Sequence, residues 1–68
     1  MKVRYDKLWI LMKDNKMTKS ELAQAAQLST YAMTKLNNDR VVSMEVILNH
    51  CKVFHCNIGD IVDVIEDD

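Results

Sequence analysis

The chain has 68 residues and a formal net charge of −1, with one glycine, no proline and two cysteines. So short a chain holds one domain, 1–68, buries only about 60% of its unfolded surface and has scant room for a substrate pocket. No apolar run approaches the roughly 20 residues of a membrane span, MKVRYDK lacks the apolar core of a signal peptide, and two cysteines do not make a disulfide scaffold. We therefore expect a soluble cytoplasmic protein whose Cys51 and Cys56 are reduced. The near-neutral total hides a division, because five of the ten acids (Asp60, Asp63, Glu66, Asp67, Asp68) fall in the last nine residues. Residues 1–59 carry nine Lys/Arg against five acids, a surplus of four positive charges, so an acidic tail masks a basic body that permits nucleic-acid binding.

Few segments alternate with a strand's period, and we expect an all-α fold of five short helices. Residues 4–15 form the first, with Tyr5, Leu8, Leu11 and Met12 on one face and Trp9 at its edge, serving the core or a subunit contact. Met1 to Val3 stay open between extended and irregular. Met17 follows a polar turn and can staple onto Leu22. Residues 18–38, TKSELAQAAQLSTYAMTKLNN, then read as two capped helices around a tight turn. Thr18 with Glu21 three positions on is a capping box, and Leu22, Ala23 and Ala26 are its apolar stripe. The pattern breaks at Gln27-Leu28, and Ser29 can cap the next helix. That helix turns Ala32, Met33 and Leu36 inward and shows Thr30, Tyr31, Thr34 and Lys35 outward. A helix-turn-helix needs this layout.

After the polar Asn38-Asp39-Arg40 loop, Ser43 can cap a fourth helix through about Phe54. Its inward stripe is Ile47, Cys51 and Phe54, with Met44 and His50 beside it. Asn57 can cap a fifth helix over 58–65, where Ile58, Ile61, Val62 and Ile65 recur at helical spacing. Residues 66–68 should be solvated and frayed. Cys51 and His55 stand one helical turn apart and could share a metal with His50 or Cys56. The four do not have a zinc-site spacing, however, and packing explains the cysteines better. With no glycine-rich phosphate loop and no nucleophile motif, we expect neither an enzyme nor a cofactor.

The phrases M-T-K-S-E-L-A-Q, L-S-T-Y-A-M-T-K-L, V-S-M-E-V-I-L-N-H-C and C-N-I-G-D-I resemble the Cro/C1-type (XRE-like) DNA-binding domain over about Tyr5 to Ile65. The opening Y-D-K-L-W with C-K-V-F-H-C-N-I-G-D-I is similar to a small stand-alone bacterial branch of it, some of whose members belong to resistance operons and mobile elements. The resemblance implies a lambda-repressor-like five-helix fold with no second domain. It further implies a sequence-specific regulator of transcription that binds double-stranded DNA as a homodimer, with no small-molecule substrate. The helix from Thr30 would enter the major groove with Thr30 and Tyr31 at base edges, Lys35 on guanine or phosphate, Ala32 allowing close approach and Thr34 reaching the backbone. Lys19 would grip a phosphate, and Asn38 and Arg40 match the family's backbone-contacting loop. From the apolar residues left over, the dimer surface would be the fifth helix (Ile61, Val62, Val64, Ile65) together with Trp9, or Val62 and Val64 alone if Ile61 and Ile65 serve the core. Two departures stand out. Gln27 occupies a turn position where the family has glycine, in a left-handed backbone that costs another residue roughly 1 kcal/mol. His50 replaces an aliphatic residue, so it either tilts to the surface or takes a partner inside. The rival implication is a partner-binding or antitoxin-like module that keeps the fold, favoured by the acidic tail and by Gln27.

Overall fold

The computed structural model describes residues 1–66. Four α-helices, α1 (Asp6–Asp14), α2 (Lys19–Ala25), α3 (Thr30–Asn37) and α4 (Met44–Phe54), lie between two short strands, β1 (Lys2–Arg4) and β2 (Asp63–Ile65). The strands pair antiparallel with Lys2 opposite Ile65, Val3 opposite Val64 and Arg4 opposite Asp63.

The expected fifth helix does not form. One 3-10 turn, Ile58–Asp60, is closed by the Asn57 amide on Asp60 Oδ2 at 3.0 Å, and the chain then extends. Five of the eight residues over 58–65 are isoleucine or valine, whose branched Cβ favours a pleated strand over a helix. Opposite charges face each other at Arg4 and Asp63. Lys7 Nζ fixes the entry to β2, 3.1 Å from the Gly59 carbonyl and 3.0 Å from Asp63 Oδ1. Arg4 and Tyr5 precede α1, so that helix starts later than the expected 4–15.

Short polar side chains start the next three helices. Thr18 and Glu21 exchange both capping-box bonds at 3.1 and 3.0 Å, Ser29 accepts from the Ala32 amide at 3.1 Å, and Ser43 from the Val46 amide at 3.3 Å. The helix ends share a device. After each of α1 to α4 one residue turns left-handed: Lys16 (φ 55°), Gln27 (φ 56°), Asp39 (φ 54°) and His55 (φ 52°). The following amides reach back to Met12, Ala23, Lys35 and Cys51 carbonyls at 2.8–3.1 Å. These are Schellman closures that consume carbonyls left free at a helix end. None uses glycine, and Gly59 does not take a positive φ.

The core is Tyr5, Leu8, Met12, Leu22, Leu36, Ile47 and Ile61, so each helix and the segment before β2 contributes at least one residue. Val3, Trp9, Leu11, Met17, Leu28, Phe54 and the two cysteines pack around it. Ala23 and Met33, expected in the core, are only half-buried, while Ala26 is buried. The Tyr5 hydroxyl donates to the Arg40 carbonyl at 2.7 Å, which ties α1 to the loop after α3.

His50 goes inside. It is fully buried, its Nδ1 lies 2.8 Å from the Val46 carbonyl, and its Nε2 has no partner. A carbonyl only accepts, so Nδ1 carries a proton, and burial with an unpartnered Nε2 favours the neutral ring. Burial pushes its pKa below the usual histidine value, against a smaller opposite effect of the Val46 carbonyl. The unfolded chain therefore binds a proton more readily than the folded one, and stability falls as pH drops below about 6.5. Thermal melting of His50→Leu between pH 5 and 7 should be flatter than that of the parent. At pH 7 the substitution should cost little, because it removes an unsatisfied buried nitrogen.

Candidate nucleic-acid interface

The turn from α2 to α3 sets the geometry of the polar face. Gln27 takes the left-handed position with its amide on the Gln24 carbonyl (3.3 Å), and Leu28 closes on the Ala23 carbonyl (2.8 Å) while half-burying its side chain against the core. The turn is therefore not displaced by the missing glycine. Gln27→Gly should relieve roughly 1 kcal/mol of backbone strain, raising Tm by about 4–8 °C in a domain of this size. A melting curve that does not rise would count against a strained turn.

α3 turns Leu36 into the core and leaves Thr30, Tyr31 and Thr34 exposed, Tyr31 by 64%. Ala32 and Lys35 are half-buried on its flanks. The Lys35 ammonium lies 4.6 Å from the centre of the Tyr31 ring, a cation–π pair that holds two long side chains together at the surface. Thr34 Oγ1 donates to the Thr30 carbonyl at 2.9 Å, so outward it offers lone pairs. Asn38 Nδ2 donates to the Thr34 carbonyl at 2.8 Å, which binds its amide to the helix end and leaves one N–H for an outside acceptor. The Arg40 side chain is exposed, while its backbone closes α3 and accepts from Tyr5.

Lys19, at the first turn of α2, lies 4.5 Å over the Trp9 ring and donates to Asn37 Oδ1. Trp9 thus serves the core edge and steadies a basic side chain. Asn37 was not among the residues expected from the sequence, although it stands two turns after Thr30 on the same face. Two grooves flank the crest of α3. Lys19, Ser20, Thr30, Met33, Thr34 and Asn37 help line one. The other, of about 840 Å³, runs between Tyr31, Thr34, Lys35 and Asn38 on one side and residues 1–3 and the 39–41 loop on the other. Thr34 lines both. Of the eight residues expected to meet DNA, Thr30, Tyr31, Ala32, Thr34 and Lys35 lie on α3 and Asn38 and Arg40 in the loop after it, while Lys19 is brought beside α3 from the first turn of α2 by its bond to Asn37.

The remaining candidates separate. His50 is buried and His55 is exposed at the end of α4. Among the described residues no three His, Cys, Asp or Glu side chains are grouped to hold a metal ion. Cys56 meets Cys51 across the Schellman closure of α4, where an apolar contact commonly forms. Burial, and then neighbouring Cys51, push the Cys56 thiol pKa up, which favours its protonated form. The fifth-helix dimer surface also dissolves: Ile61 is core and Val62 half-buried, leaving Val64 and Ile65 exposed on β2. No helix of the described residues is long and apolar enough to cross a membrane.

The family model described as a Cro/C1-type HTH DNA-binding domain matches residues 7–67. This chain belongs to the Cro/C1-type helix-turn-helix family. A solved structure similar to this Cro/C1-type chain is the crystal structure of the transcriptional regulator VanUg, Form II. It is 36% identical with a TM-score of 0.92, and the match covers 97% of this chain and 88% of that one. No curated protein matches the sequence. The Cro/C1-type family is one of DNA-binding proteins, and the sheet and four helices seen here are its fold in this chain.

Proposed function

We propose that the protein is a sequence-specific transcriptional regulator that works in the cytoplasm as a homodimer, with α3 in the major groove of double-stranded DNA. The observation that carries this reading is the crest of α3, where Thr30, Tyr31 and Thr34 stand exposed between Lys19 on one flank and Lys35 and Arg40 on the other. Base edges are read by polar side chains on a groove-sized helix, and cations beside it hold the phosphates in register. Tyr31 and Lys35 read bases; Ala32 leaves room for close approach. Lys19, Arg40 and the one free N–H of Asn38 contact the backbone, and Thr34 accepts from a base or a bridging water. The likeness to a protein titled a transcriptional regulator supports the regulatory role.

One such module covers too few base pairs for selectivity. Two copies would meet half-sites about 34 Å apart, one turn of DNA. Of the two features that favour the partner-binding alternative, Gln27 takes the left-handed turn position, and Asp67 and Asp68 of the acidic tail lie outside the described residues. Titration of a duplex carrying the promoter of the protein's own gene tests the reading. Binding is expected at 50 mM salt, two protomers per duplex, with affinity falling steeply as salt rises. No binding at that salt would overturn it, and a monomer by sedimentation at high micromolar concentration would remove the dimer.

A further inference from the structure

We infer that Lys2, outside the helix-turn-helix, is a phosphate-binding residue of the DNA interface. This rests on the DNA-binding reading proposed above. The antiparallel register carries the inference, because pairing with β2 holds β1 extended and brings Lys2 to the wall of the larger groove beside α3. Lys35 on α3 and Arg40 on the 39–41 loop line the same groove, so three cations from three separate chain segments border one channel.

The acid that shares the channel, Asp39, is exposed but its carboxylate is engaged by the base of the strand. Its Oδ1 accepts from the Tyr5 amide at 3.4 Å and its Oδ2 lies 3.8 Å from Arg4 Nε. Lys2 is exposed and has no ion-pair partner among the described residues. Thr34 stands on the crest that borders this channel. DNA read by that crest places its sugar-phosphate strand along the channel, within reach of a lysine on the far wall. A lone ammonium on a flexible stem acts there as a point charge without base preference.

The test is the salt dependence of DNA affinity for the parent chain, Lys2→Ala, Lys2→Gln and Lys2→Arg, on a promoter duplex and on a scrambled duplex. Each phosphate contact contributes about 0.9 to the slope of log affinity against log salt. Both Lys2→Ala and Lys2→Gln should lose about that much and bind about eightfold more weakly at 0.1 M salt. The loss should be equal on the two duplexes, with Lys2→Arg restoring both quantities. Melting temperatures of all four proteins show whether the strand pair survives. A slope unchanged in both neutral variants overturns the assignment while leaving the DNA-binding reading in place. Loss of promoter preference at constant slope also overturns it, because that is a base contact. If the parent binds neither duplex, both readings fall together.

Discussion

Leu36→Ala should remove about 2–5 kcal/mol of the chain's stability, a large share of the whole. Leu36 is fully buried, and it is the residue by which α3 joins the core. Truncating a buried leucine removes its transfer free energy and leaves a cavity, at a cost of about 2–5 kcal/mol. A domain of this size has only about 3–10 kcal/mol of stability in total. The loss falls on the helix that carries the candidate reading surface, so DNA binding should weaken in step with any loss of helical signal. Leu36→Met, which conserves volume, should cost under about 1.5 kcal/mol and keep binding. Urea denaturation followed by circular dichroism gives both values. A Leu36→Ala protein that melts cooperatively near the parent temperature would refute the packing described for α3.

The second large effect concerns two neighbouring cations with different tasks. Lys35→Ala should compress the ratio of operator to non-operator affinity, by about 1–3 kcal/mol at the base pair it reads. It also frees the Tyr31 ring from its cation–π partner, so the loss should exceed that from a contact made by lysine alone. Arg40→Ala should weaken binding evenly on all sequences and lower the salt slope by about one. The fold should tolerate that change, because the Arg40 contacts to Lys35 and Tyr5 are made by its backbone and survive in alanine. Competition titrations with single-base operator variants separate the two. Unchanged selectivity in Lys35→Ala would remove this residue from the reading surface.

Much of this architecture could be read from residue order. Thr18, Ser29 and Ser43 each precede an apolar run and each caps a helix, because such a bond is local and its partner lies three residues on. The strand pair escaped because each strand is three residues long and needs the other from the opposite end of the chain. Ile58, Ile61 and Ile65 also fall at helical spacing, which disguised a β-branched run. On the candidate site, the outward face of α3 was legible from its polarity alone. Asn37 and Lys2 were not, since tertiary packing brings the one to Lys19 and the other to the channel wall. Thr34 and Asn38 were legible by position but not by orientation, because short polar side chains on a helix can turn back to its carbonyls. His50 shows the same limit: a histidine on an inward helix face reads as a misfit until the Val46 carbonyl is seen to accept a hydrogen bond from it.

The β1–β2 pairing bears on the order in which the molecule assembles. Each helix closes contacts between near neighbours, which form within about a microsecond. The two strands must find each other across nearly the whole chain, and the loop-closure entropy of that search is compensated only once the helices have packed and shortened the gap. The strand pair is therefore the last piece to join and the first to open. A side chain held in place by it, as Lys2 is, stands ready only in molecules whose folding is complete.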